Sequence, residues 1–181
     1  MNCSSGGERI SRHNSLRDCF HDLAREAGLG PRKEVRFLLP GRDSRPADIY
    51  LPNWLGGKDM ALDVTVVNPC QSSLVSRAAL VPGHALAFAF NRKMRNMEEA
   101  CERNGFSFLP LTCESHGGWG NEAIEVVKRL SSSLARQSCK NESVIISHTW
   151  GKLGITLQRY NGQILANRVS HHPLTVIDGY Q

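Results

Sequence analysis

The chain has 181 residues, 40% hydrophobic and 22% charged, with a formal net charge of +5 and a pI near 9.0. That length suits one domain with an ordinary core, and that balance excludes a disordered chain. The positive charge suits a polyanionic partner such as nucleic acid, while no stretch reaches the roughly 18 apolar residues of a membrane span.

The opening MNCSSGGERISRHN lacks the apolar stretch of a signal peptide, so an intracellular protein, nuclear or cytoplasmic and without a membrane partner, is expected. Residues 1–9 read as a flexible tail, 10–169 as a single domain and 170–181 as a C-terminal tail. Over residues 10–27, Leu16, Cys19, Phe20, Leu23, Ala24 and Ala27 recur at helical spacing, and Gly28 supplies a stop. EVRFLLP, residues 34–40, predicts a strand, and the polar turn GRDSR leads to a second strand around residues 47–51. MALDVTVV, residues 60–67, is a third and the most β-rich segment of all.

A long helix follows over residues 84–104, with room for a turn of helix before it, and GFSFLPLT gives a fourth strand. The loop CESHGGWGN opens a helix over residues 122–137, with Ala123, Val126, Val127, Leu130 and Leu134 on one side. In the last third, β-branched residues argue for strand, but Ile146, Trp150, Leu153 and Leu157 keep helical spacing and favour helix. SHHPLTVIDGYQ reads as a tail whose His171 and His172 face water. The order is α-β-β-β-α-β-α plus a C-terminal helical extension. This is an α/β fold with a mixed sheet of about four strands flanked by helices.

The six cysteines include no CxxC pair, which indicates neither a disulfide framework nor a zinc finger. Cys113 and His116 stand at ligand-like spacing with nothing to complete a zinc site locally. The carboxylates are more informative. Strand alternation puts Asp63, Thr65 and Val67 on one face and the core residues Leu62, Val64 and Val66 on the other. A neighbouring strand carrying Asp48 can bring a second carboxylate close, and the pair then calls for a divalent metal or a basic side chain.

Lys93 is such a side chain. Projected at about 100° per residue, Ala85, Leu86, Ala89, Phe90, Met97, Ala100 and Cys101 form an apolar arc with Lys93 near its middle. A lysine directed at a core needs a partner, and Asp48 and Asp63 are the candidates. Alternatively, Lys93 snorkels to water, Asp48 caps a turn and Asp63 bonds backbone groups at a sheet edge.

RPADI and LDVTV, with Lys93 on the following helix, resemble the core of the restriction-endonuclease-like, PD-(D/E)xK, nuclease superfamily. Asp48 matches the first acid, in a P-x-D rather than P-D setting, and Asp63 the second. Thr65 stands where the motif's lysine belongs, and Lys93 matches the migrated position used in some branches. RHNSLRD, RPAD, ALDVTVVNP, NRKM, FSFLPL, ESHGGWG and YNGQILANRV together are similar to the C-terminal nuclease-like region of eukaryotic mobile-element, reverse-transcriptase-associated proteins. They span roughly residues 10–170.

The resemblance implies a metal-dependent endonuclease-like domain acting on DNA, with Mg²⁺ or Mn²⁺ held by Asp48, Asp63 and the Val64 carbonyl. Lys93 would steady the attacking water or phosphate charge, and Thr65 would orient a water, unless it serves only β-propensity. Arg17, Arg45 and Arg92, with the backbone at Gly117 and Gly118, are assigned to nucleic acid. Arg17 alternatively pairs with Asp43 or Asp22, the glycines alternatively just make a turn, and His13 reads as a core histidine. The implied partners are DNA, a reverse transcriptase encoded by the same element and, in a homodimer, a second copy. The competing readings are an inactive nuclease-fold module that binds nucleic acid or protein, and an unrelated α/β domain with a structural ion pair.

Overall fold

A computed structural model of the chain describes residues 7–36, 38–39 and 47–171. Helix α1 (Glu8–Glu26) buries Leu16, Phe20, Leu23 and Ala24 along one stripe, and Arg12 continues that stripe a turn earlier. It begins two residues inside the expected N-terminal tail, where Glu8 accepts a hydrogen bond from Asn167 Nδ2 at 2.8 Å.

Four strands follow: β1 (Arg32–Lys33), β2 (Ile49–Leu55), β3 (Lys58–Val67) and, after the helices α2 (Val75–Ala78) and α3 (His84–Arg103), β4 (Phe106–Glu114). They form one sheet in the order β1-β2-β3-β4. β1 and β2 are antiparallel, as are β2 and β3, whereas β3 and β4 are parallel. The parallel pair requires a crossover, which α3 supplies. Gly56 and Gly57 close the β2–β3 hairpin with φ of 58° and 82°, the double left-handed geometry that a two-residue turn demands.

The strand expected over residues 34–40 is not there among the described residues, and pairing stops at Lys33 opposite Ile49. Glu34 adopts φ 46°, its N–H donates to the Asp48 carbonyl at 2.9 Å, and Arg17 holds its carboxylate. These contacts turn the chain out of the ladder. Val35, Leu38 and Leu39 instead pack on Tyr50, Ala61, Phe106 and Phe108.

Helices α4 (Asn121–Ser138) and α5 (Glu142–His171) complete the chain. Asn141 caps α5, its Oδ1 accepting the Ser143 N–H at 2.9 Å. The last third is thus helical through His171, beyond the domain boundary expected at residue 169, and Leu153, Leu157 and Ile164 are buried. Residues 172–181, with His172, lie outside the described residues.

The two faces of β3 are covered differently. Met60, Leu62, Val64 and Val66 join the main core with α1, α4 and α5. On the other face α3 lies over Ala61, which belongs to one apolar cluster with Cys101 and Phe108, and over Val67, which belongs to another with Leu74, Ala85 and Ala89. Asp63 and Thr65 fall between those clusters.

Burial of α5 in the main core has a measurable consequence. Leu157→Ala is expected to cost about 2–5 kcal/mol through lost burial and the cavity left behind. Ile155→Ala, at a position 72% exposed, is expected to stay within about 0.5 kcal/mol. Thermal or denaturant unfolding of the two variants checks the difference, and similar losses would contradict docking of α5 through Leu157.

Candidate functional site

β3 is central, and β2 ends partway along it. The Asp48 N–H donates to Leu62 O at 2.9 Å, the last backbone link on that side among the described residues. The next N–H facing the same way, that of Val64, donates to Asp48 Oδ2 at 2.6 Å. A side chain thereby stands where a backbone acceptor would in a continuing ladder. The Val64 carbonyl projects from the same edge as its N–H, because both groups of a strand residue point toward one neighbour.

Helices on both faces deliver a basic group to this notch. From α3, Lys93 Nζ lies 3.0 Å from Asp63 Oδ1 and 2.9 Å from Oδ2. Thr65 Oγ1 donates to the same Oδ2 at 2.8 Å. From α1, the His13 Nε2–H donates to Asp48 Oδ1 at 3.0 Å. Asp48, Val64, Asp63, Thr65 and Lys93, singled out separately in the sequence, therefore form one constellation, and the snorkelling alternative for Lys93 is set aside by its two contacts.

His13 is the residue that sequence reasoning misplaced. It is an edge-facing partner of Asp48 with a third of its side chain exposed, not a core histidine. Its place in RHNSLRD, one turn before Arg17 on a helix over the sheet edge, was the available signal. Arg12 was missed altogether, although spacing from Leu16 puts it on the buried stripe. Arg12 Nη1 donates to Asn161 Oδ1 at 2.6 Å, and Asn161 Nδ2 to Ser115 O at 2.6 Å.

The electrostatics follow from burial. Asp63 is held above the usual carboxylate range, first by burial and also by nearby Asp48, with Lys93 and Thr65 pulling the other way. His13 is held above its usual 6.5, chiefly by its hydrogen bond to Asp48 and against its own burial. Burial pushes the Cys113 thiol up to about 12. Among the described residues no group of three or more His, Cys, Asp or Glu is placed to hold a metal ion. The notch offers hard oxygen donors, two carboxylates and a carbonyl, but all four carboxylate oxygens take hydrogen bonds from groups of the protein.

The residues assigned to nucleic acid are less concentrated. Arg17 pairs with Asp18 at 3.0 Å and with Glu34, not with Asp22, and Asp43 lies outside the described residues, as does Arg45. Its charge nonetheless reaches His13, whose protonation it opposes. Arg92 points to solvent over the Phe88 ring, 5.9 Å from its centroid. Gly117 N–H donates to Glu114 O and Gly118 O accepts the Glu114 N–H, so both glycines close the turn after β4.

No protein-family model and no curated protein matches the chain. No helix among the described residues is long and apolar enough to cross a membrane.

Two predictions test the electrostatics. Lys93→Met leaves Asp63, 12% exposed, without its cation and is expected to destabilise by about 1–3 kcal/mol at neutral pH. That is less than the about 3–5 kcal/mol of a fully buried pair, since Lys93 is itself 32% exposed. Adding Asp63→Asn should recover most of the loss, and a double mutant no better than the single would refute the pairing. For His13, a folded-state pKa above the unfolded value means stability present below about 6.5 and lost as pH rises through the folded pKa. His13→Gln, which keeps a donor but does not titrate, should flatten that limb of the stability–pH curve, with the His13 ring titration read by NMR.

Proposed function

We propose that the chain is a metal-dependent endonuclease-like domain of the restriction-endonuclease-like superfamily, of retroelement origin, that hydrolyses phosphodiester bonds in DNA. The observation that carries this reading is the meeting of Asp48, Asp63 and Lys93 at an interrupted strand edge. A purely structural ion pair needs only Asp63 and Lys93, and does not account for a second carboxylate whose field raises the pKa of the first. A bound Mg²⁺ or Mn²⁺ supplies neutralisation of phosphate charge and a more acidic water.

The chain's own groups divide the remaining work. Asp48 and Asp63 hold the cation, with the Val64 carbonyl on the same strand edge. Lys93, a third exposed, presents N–H donors to a phosphate oxygen that approaches Asp63 from solvent. His13, kept protonated to higher pH by Asp48, can give a proton to the departing oxygen. The net charge of +5 favours association with DNA. Arg92 adds a solvated phosphate contact, and a homodimer or a reverse transcriptase from the same element would place the substrate strand.

A second reading has its own observation. All four oxygens of Asp48 and Asp63 already have internal hydrogen-bond partners, which favours an inactive nuclease-fold module that binds nucleic acid or a protein. Plasmid nicking separates the two. The nuclease reading expects nicking in Mg²⁺ or Mn²⁺ that EDTA stops and that Asp63→Asn lowers at least a hundredfold with the protein still folded. DNA binding without nicking in either metal would select the inactive module.

A further inference from the structure

The crossover from β3 to α3 carries a surface that the notch does not use. Residues 64–97 contain Arg77, His84, Arg92, Lys93 and Arg95 but no Asp or Glu, so all 17 acidic residues of the chain lie elsewhere. Lys93 is taken up by Asp63. Arg77, Arg92 and Arg95 are exposed.

Apolar side chains stand among these cations. On the corner that joins α2 to α3, Leu80 is 82% exposed and Val81 52%, with Val75 on α2 at 41% and Phe88 on α3 at 38%. Single exposed apolar residues are ordinary, whereas a group of them on one corner marks a place where something docks. The corner is held in shape. The Val81 N–H donates to Arg77 O at 2.9 Å and the His84 N–H to Val81 O at 3.1 Å, while Leu74 is buried with Val67, Ala85 and Ala89. Leu80 and Val81 are thus presented to solvent on a fixed turn.

At about 100° per residue, His84, Phe88, Arg92 and Arg95 share the face of α3 opposite Lys93, and at 1.5 Å per residue they extend over roughly 16 Å. The Arg92 guanidinium lies over the Phe88 ring, 5.9 Å from its centroid, so cation and ring form one platform. Glu98 borders this face beyond Arg95, and Glu122 stands across the cleft toward α4.

The mixture defines the partner. A second copy of the chain would set like charges against each other, so the occupant is anionic and also offers apolar surface. A single DNA strand has both, with phosphates at intervals along its length and the flat faces of unpaired bases between them. A duplex keeps those faces inside its stack and exposes them only at the cost of unstacking. A cationic track about three helical turns long suits a strand better than a point contact.

We propose that the α2–α3 corner and the outer face of α3 bind a single-stranded stretch of DNA, with Leu80, Val81 and Phe88 against its bases and Arg77, Arg92 and Arg95 on its phosphates. DNA as the partner rests on the reading above, but the surface does not require cleavage at the notch.

The test is fluorescence anisotropy of the full chain in EDTA with a fluorescein-labelled single-stranded oligodeoxynucleotide and with its blunt duplex. The single strand is expected to bind more tightly. Leu80→Ser combined with Val81→Ser should weaken single-strand binding about fivefold or more and leave the melting temperature unchanged, because both positions are exposed. Arg77→Gln should weaken it too and reduce the slope of log K against log salt by about one. Ile155→Ser, at an exposed apolar position on α5, should bind as the unaltered chain does. Tighter binding to duplex, no loss in the Leu80 and Val81 double variant, or an equal loss in Ile155→Ser would overturn the proposal. So would capture by vesicles of equal parts phosphatidylcholine and phosphatidylserine that the double variant abolishes while single-strand binding persists, which would assign the corner to a lipid surface. Nicking is read separately in Mg²⁺: its absence with this binding pattern retained removes the nuclease and keeps the strand-binding surface, and nicking without the pattern does the reverse.

Discussion

The ion pair between Asp63 and Lys93 constrains both the site and the packing around it. Asp63 projects from the middle of a central strand onto a face that α3 covers, where an isolated carboxylate would take up a proton rather than stay charged. Burial lifts its pKa and Lys93 draws it down. The cation arrives only when α3 sits at one position along β3. Two apolar clusters, one around Cys101 and Phe108 and one around Ala85 and Ala89, clamp the helix on either side of the pair. Small residues at Ala85 and Ala89 let the helix come close, so packing and charge select the same register.

The second constraint is where β2 stops. Among the described residues its pairing ends at Asp48, and the Val64 N–H goes to the Asp48 carboxylate instead of to a backbone carbonyl. Ending there leaves a notch that helices from opposite faces flank, α3 with Lys93 and α1 with His13. Two carboxylates then meet two cations while His13 is protonated. Once His13 loses its proton, the notch carries one uncompensated negative charge and its demand for a cation rises.

The notch was legible in part because periodicity reports faces. Strand alternation separated Asp63 from Leu62 and Val64, and helix projection turned Lys93 toward the sheet, so their contact followed from local rules. The contact of His13 with Asp48 did not, since it depends on where a helix rests against an edge 35 residues away. The run EVRFLLP has strand composition, yet capture of Glu34 by Arg17 and by the Asp48 carbonyl overrides it. Tertiary contacts decide such short segments. The last third went the other way: its β-branched residues yielded to helical spacing because Leu153 and Leu157 bury against α1 and α4.

The buried Arg12 explains how a helix on one face can hold its histidine at the edge. Successive residues on a helix point about 100° apart, so fixing Arg12 fixes the direction of His13. Arg12 is anchored through Asn161 on α5 to the Ser115 carbonyl, and the Ser115 N–H in turn bonds Val67 O at 2.8 Å. That chain ties the start of α1 to the end of β3, the strand that carries Asp63. Burying a guanidinium costs free energy, and burial lowers the Arg12 pKa. A neutral residue at that position would pack more cheaply but would leave the first turns of α1 free to rotate. The cost falls on the core, and what it secures is the angle at which His13 meets Asp48.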